Sequence, residues 1–265
     1  MLGVIDYGSG NFASVCNAFT HLGVEHQAVR DPQTLLDCSH VVLPGVGAFH
    51  DCVDSLRRQG LLDPLSKMLK DDIFFFLGIC VGHQVLAETG SEFFEGPGLE
   101  VIPGATDKLC SDNVRLPHVG WNELQFSRPS PIFEGVDSGS CVYFVHSFAV
   151  QNTPEEYVIA RTDYDQPITA AINKGLTYGV QFHPEGGGGP ADTKSLVFDS
   201  FTFLVRRVSS SNSHYRHLPE VMPFSWPPLR LKENHEPLGS VNYRRHSRTS
   251  GKTILVLGSG GIQIG

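Results

Sequence analysis

The feature that most constrains the fold is an apolar run, Ile73–Leu77, that passes directly into Gly78-Ile79-Cys80-Val81-Gly82. Five consecutive apolar side chains leave no face for solvent, so the run reads as a strand buried on both sides, the condition of a parallel sheet covered by helices. Two glycines flanking the turn permit a sharp passage from strand to helix that leaves the central side chain at the carboxyl edge of the sheet. The segment that follows, Gly82-His83-Gln84-Val85-Leu86-Ala87-Glu88, is expected to be helical.

The same alternation extends through the first two thirds of the chain. Leu2–Asp6 and Val41–Leu43 are further buried-strand candidates. Asn11–Leu22 sets Phe12, Val15, Phe19 and Leu22 on one helical face, and Cys52–Leu69 has similar spacing. Strand and helix in repetition predict an α/β fold with a doubly wound, mostly parallel sheet flanked by helices. From about Val142 shorter strand candidates follow, Val142–Val145, Tyr157–Ala160, Thr169–Ile172 and Thr177–Phe182, read as a meander or as late strands of the same sheet. A last helix, from Thr193 to about Arg206, is expected to turn Leu196, Val197, Phe201 and Leu204 inward.

Composition sets the domain boundaries. With 40% hydrophobic and 18% charged residues, the 265-residue chain can bury a core. Its net charge of −8 averages two unlike parts: residues 1–208 carry 13 basic and 25 acidic side chains, residues 209–265 carry 7 and 3. We therefore expect a folded domain over 1–208 and a Pro/Ser/Arg-rich linker over 209–252. Residues 253–265 read as the first strand and glycine-rich turn of a truncated following domain.

The acidic balance argues against binding to nucleic acid, and the linker's Arg244, Arg245 and Arg248 are read as solvated. No apolar run approaches the ~20 residues of a membrane span. Six cysteines without paired spacing, and an N-terminus without a secretion signal, point to the cytoplasm. His214 and His217 are too close and unaccompanied for zinc, and Gly8-Ser9-Gly10 alone does not specify a dinucleotide. No metal or cofactor is expected.

Cys80, at the centre of the glycine turn, is a nucleophile candidate; a small cysteine buried at a tight turn fits the same spacing. A free thiol has a pKa near ~8.5, so a nucleophilic Cys80 needs a base or an imidazolium beside it. The candidate is His183 in Gly179-Val180-Gln181-Phe182-His183-Pro184-Glu185, at the end of the last strand candidate. Glu185 is placed to hold the imidazole, the third role in a triad. The turn Leu43-Pro44-Gly45-Val46-Gly47-Ala48 offers backbone N–H groups to an oxyanion, or is a plain strand-to-helix turn.

Together these motifs resemble the class I (triad) glutamine amidotransferase family, whose fold is flavodoxin-like. Within it, residues 1–185 are most similar to the glutaminase subunit of imidazole glycerol phosphate synthase, through Ile5–Asn11, Leu43–Phe49, Gly98–Gly104, Pro117–Asn122 and Tyr143–Phe148. The resemblance implies that Cys80, His183 and Glu185 hydrolyse glutamine to glutamate and ammonia. Gly47 and Val81 would stabilise the oxyanion, and Gln84, His146, Ser147 and Phe148 would line the glutamine pocket. It also implies a partner, a (β/α)8-barrel cyclase that receives the ammonia, contacted through Asn11, Pro117, His118, Trp121 and Asn122.

Two features depart from that branch. It usually has Met where His83 stands, and Lys-Ser-Gly where Gly186-Gly187-Gly188 follow Glu185. Residues 189–265 instead resemble carbamoyl-phosphate synthetase, at the end of its glutaminase domain and the start of its synthetase part. The large part of such a synthetase is therefore the alternative partner. A further alternative, motivated by the run Gly186–Gly189, is a docking module with an impaired triad.

Overall fold

The runs without a polar side chain form the middle of the main sheet, where both faces are covered. The computed structural model describes residues 1–8, 11–185, 197, 198 and 201. Its first half runs β1 (Leu2–Ile5), α1 (Phe12–His21), β2 (His26–Val29), α2 (Pro32–Leu36), β3 (His40–Leu43), α3 (Phe49–Arg58), α4 (Leu62–Lys70), β4 (Phe75–Ile79) and α5 (Val81–Gln84). The described residues from Ala87 to Val180 are mainly strand: β5 (Ala87–Gly90), β6 (Gly96–Pro97), β7 (Ile102–Lys108), β8 (His118–Glu123), β9 (Gln125–Phe126) and β10 (Cys141–His146) come first. β11 (Phe148–Gln151), β12 (Val158–Asp163), β13 (Pro167–Lys174) and β14 (Thr177–Val180) complete it.

The main sheet has eight strands in the order β2-β1-β3-β4-β14-β13-β12-β9. The first five are mutually parallel and the last three continue it antiparallel. Every residue of β1, β3, β4 and β14 is buried, as parallel strands between helix layers require. The edge strand β2 carries His26 and Gln27 and is mostly half-buried. Two smaller sheets, β10-β8 and β11-β7-β5-β6, are also present. Because β1, β3, β4 and β14 run the same way, the turns that follow them gather at one edge, which is where open α/β sheets bind ligands.

Helices α1, α3 and α4 bury the faces that their periodicity marks, including Val15 and Phe19, Val53 and Leu56, and Leu65 and Leu69. Cys52–Leu69, expected as one helix, is two, because Gly60 takes φ 70° and closes α3. The helix expected after Gly82 lasts only to Gln84 before the chain enters β5. The late strands prove to be both a meander and part of the main sheet, except that β10 pairs with β8 instead. Of the expected last helix, Val197, Phe198 and Phe201 are described; they are helical and buried, and Phe198 meets Phe19 of α1 edge-on at 4.9 Å.

The described residues all lie within a unit running from Met1 to Asn212. The linker at 209–252 and the terminal strand at 253–265 lie outside the described residues. Among those described, no helix is long and apolar enough to cross a membrane.

The glycines at the strand-to-helix turn are dictated by close backbone approach. A methyl group on Gly82 would overlap the carbonyl of Leu43, and one on Gly78 would overlap the carbonyl of Gly82. Both obstacles are main chain and cannot rotate away. Gly82→Ala is expected to lower stability by about 1–3 kcal/mol or more, the scale of forced overpacking, read as a fall in the urea midpoint. An unchanged midpoint would show that β3 and the turn are not held together as described.

Candidate active site

Cys80 sits between β4 and α5 with φ 52° and ψ −105°, a conformation that a non-glycine residue keeps only under constraint. The constraint is visible: its N–H donates to the Val180 carbonyl at 2.8 Å, and its carbonyl accepts from the N–H groups of His83 and Gln84 at 3.0 and 2.9 Å. The side chain is 5% exposed. α5 is a single turn, so few aligned peptide dipoles stand behind the sulfur, and a charge partner must come from elsewhere.

That partner is His183, three residues beyond β14. Its main-chain N–H donates to the Tyr143 carbonyl of β10 at 2.9 Å, and its Nδ1 lies 2.7 Å from Oε1 of Glu185. Burial by itself would push the ring's pKa down, but attraction to Cys80 and to Glu185 outweighs it and holds the imidazolium well above the usual histidine range. No directed hydrogen bond reaches Nε2 among the described residues, and the larger part of the Cys80 effect on the ring is attraction between charges.

Asn11, expected at a partner surface, has its side-chain amide on Oε1 of Glu185 and 3.5 Å from Nδ1 of His183. It precedes α1 with φ 89° and does not cap that helix, its side chain being turned toward the carboxylate. The turn containing Gly47 packs on the Cys80 elbow: a Cβ on Gly45 would lie 2.7 Å from both the Gly82 nitrogen and the Val81 side chain. Gly47 itself has φ 100°, favoured by glycine.

Gln84 is buried beneath the elbow. Its amide donates to the Phe148 carbonyl at 2.7 Å and to Oε1 of Gln181 at 3.2 Å. Gln181, which sequence reasoning missed, directs its own amide at the Cys80 sulfur, 3.5 Å away. The available signal was a lone glutamine in an otherwise apolar strand end. Ser147 and Phe148 are half-buried beside this group.

His118 differs from expectation in its burial. His118, expected at a partner surface, is 1% exposed and bonded to His146 at 3.1 Å, while His146 lies 3.0 Å from the Phe148 carbonyl. Burial pushes His118 down to about 4; burial, with the neighbouring His118 and His183 adding to it, pushes His146 down to about 3. Of the other expected surface residues, Pro117 and Trp121 are exposed and Asn122 is half-buried. Val119, not singled out in the sequence, is 51% exposed beside Trp121 at 42%.

His83 is fully buried with neither ring nitrogen hydrogen-bonded among the described residues. Burial, helped by His146, pushes it down to about 3. It is therefore a neutral ring packed against Gly179.

The profile of the family "Glutamine amidotransferase class-I" matches residues 3–203. The chain belongs to the class I glutamine amidotransferase family. It is 39% identical over 191 residues to "Imidazole glycerol phosphate synthase subunit HisH" of Syntrophotalea carbinolica, covering 70% of this chain and 92% of that protein. It is 38% identical over 211 residues to the HisH subunit of Moorella thermoacetica, covering 79% and 98%.

Among solved structures, "Crystal structure of glutamine amidotransferase" superposes with a TM-score of 0.61 at 21% identity, over 77% of this chain and 98% of that one. "Structure of PurLQS from Thermotoga maritima" gives 0.60 at 20%, over the same shares. These structural likenesses show the amidotransferase fold, the α/β class that the strand alternation predicts.

Because the native His183 pKa lies above the unfolded value near ~6.5, its contribution to stability is complete below that pH and is lost as pH rises through the native value. Cys80→Ala removes one source of the attraction. Ring NMR titration should give a lower His183 midpoint in Cys80→Ala than in the wild type. Equal midpoints would dissociate Cys80 from His183.

Proposed function

We propose that this amidotransferase is a glutaminase that hydrolyses glutamine to glutamate and passes the ammonia to a synthase partner, as the glutaminase subunit of imidazole glycerol phosphate synthase in histidine biosynthesis. The observation that carries the reading is His183 held between Cys80 and Glu185, with attraction to both overcoming its burial. The curated relatives, named as HisH subunits and covered over 90% or more of their length, support the branch.

In this reading the Cys80 thiolate adds to the side-chain amide carbon of glutamine. The oxyanion accepts hydrogen bonds from the N–H of Val81 and from the Gly47 turn. His183 gives its Nε2 proton to the departing nitrogen, so ammonia leaves and a γ-glutamyl thioester remains. The now neutral His183 takes a proton from water, whose oxygen attacks the thioester; glutamate leaves and the thiolate–imidazolium pair is restored. Glu185 keeps Nδ1 occupied throughout, so that only Nε2 exchanges protons.

The partner that we favour is the (β/α)8-barrel cyclase, with Trp121 and Val119 supplying exposed apolar surface for it. A carbamoyl-phosphate synthetase large part is the competing acceptor, motivated by residues 189–265, which lie almost wholly outside the described residues. The absence of any disulfide among the six cysteines fits a reducing compartment, the cytoplasm.

Cys80→Ala should abolish glutamate release, measured with the synthase partner bound, and undiminished release would sink the assignment. Stoichiometric labelling of Cys80 by a glutamine-like chloroketone is expected of an active site; no labelling would favour the docking module. Co-purification of the full chain with the barrel cyclase, rather than with a carbamoyl-phosphate synthetase large part, is the expected partner result.

A further inference from the structure

A continuous line of side chains joins β8 to the nucleophile, and its hydrogen-bond directions can be worked out atom by atom. The Phe148 carbonyl only accepts, so the His146 Nδ1 3.0 Å from it carries a proton. A neutral His146 then has a bare Nε2. The His118 Nδ1, 3.1 Å away, must donate to it, which leaves the His118 Nε2 bare in turn. Asn122 supplies that last donor at 3.4 Å. Its amide also donates to the Asp163 carbonyl at 2.8 Å, and its oxygen accepts from the Glu123 N–H at 2.9 Å, so Asn122 cannot be flipped without losing both.

From the other end, the same Phe148 carbonyl accepts from Gln84, and Gln84 holds Gln181 against the Cys80 sulfur. Both lone pairs of Phe148 are thus used, one by each half of the line. The His118 ring is clamped between Tyr164 at 3.9 Å and Phe144 at 4.7 Å, near-parallel to both. It is rigid and buried, and touches neither Cys80 nor His183 in any hydrogen bond. Both rings are neutral, as the geometry demands, since a protonated His146 would set N–H against N–H.

We propose that His118 is a positioning residue for the glutamine pocket, acting only through His146: by donating to Nε2 it holds the His146 ring on the Phe148 carbonyl that anchors Gln84. This rests on the glutaminase reading. Without the His118 donor, His146 Nε2 is a buried acceptor with no partner. Moving the proton to Nε2 would leave that N–H equally without a partner and break the bond to Phe148, so the ring shifts to bring Nε2 to another donor and pulls on the Phe148 carbonyl. The pocket wall loosens, while the charge pairing of Cys80 with His183 is untouched. The loss therefore falls on substrate binding and not on the chemical step.

The test is alkylation of Cys80 in the full chain by a glutamine-like chloroketone, with iodoacetamide as a reagent that needs no pocket. His118→Phe keeps the ring stack and removes the donor. It should raise the chloroketone half-saturation concentration about tenfold, the scale of one unsatisfied buried acceptor, with the saturating rate and the iodoacetamide rate within about twofold of wild type. His118→Asn, which restores a donor near the Nδ1 position, should recover most of the loss. His146→Phe should match His118→Phe, and the double variant should be no worse than either.

An unchanged half-saturation in His118→Phe overturns the proposal, as does a loss confined to the saturating rate, or additive effects in the double variant. If His118→Phe does not fold, Asn122→Ala must raise the half-saturation concentration without altering the saturating rate, and no rise is equally fatal. A wild type that reacts with iodoacetamide but shows no saturable chloroketone labelling defeats the glutaminase reading itself. A saturable wild type with an indifferent His118 defeats only this inference.

Discussion

Cys80 keeps φ 52° because the chain around it has no room to relax. Such a backbone costs on the order of 1–3 kcal/mol, and it persists only when neighbouring structure over-determines it. Here β3, β4 and β14 do so together: Gly82 lies against the Leu43 carbonyl, Gly78 against Gly82, and the Cys80 N–H is tied to Val180. Several candidate positions then follow from the spacing of those three strands. The Gly45–Gly47 turn rests on the elbow, and β14 delivers Gln181 and His183 to the sulfur from the neighbouring strand.

The buried histidines show what that placement does electrostatically. His40, His83, His118 and His146 are all buried, and burial drives them down to about 4, 3, 4 and 3. His183 is as buried as they are and moves the other way. Attraction to Cys80 and Glu185 outweighs a desolvation penalty that the other rings meet without such neighbours. Position beside Cys80 and Glu185, and not burial, separates His183 from these four rings.

The parts of this site that were legible in the sequence are those encoded locally. Cys80 is announced by an apolar strand and two glycines, and His183 with Glu185 by a proline turn that sets them two residues apart. Gly60, which splits α3 from α4, was equally visible but was overridden by the apolar spacing on either side of it. The short α5 was not legible, because Val85, Leu86 and Ala87 suit a buried helix or a buried strand equally well. Asn11 meets Glu185 across 174 residues, and His118 meets His146 only through the register of β8 on β10. Neither contact has a local signature, so Asn11 and His118 were assigned to a surface by their motifs alone.

That register has a consequence for how β8 can vary. Its side chains alternate, with Val119 and Trp121 exposed on one face and His118 and Asn122 turned inward on the other. Cross-strand pairing fixes both faces at once, since His118 stands opposite His146 and Trp121 opposite Tyr143. A slip of one residue would bury Val119 and Trp121 and expose His118 and Asn122. The outer apolar face and the inner hydrogen-bonded line are therefore one structural commitment: whatever holds the strand in place for one holds it for the other, and His183, tied through its N–H to Tyr143 of β10, shares in it.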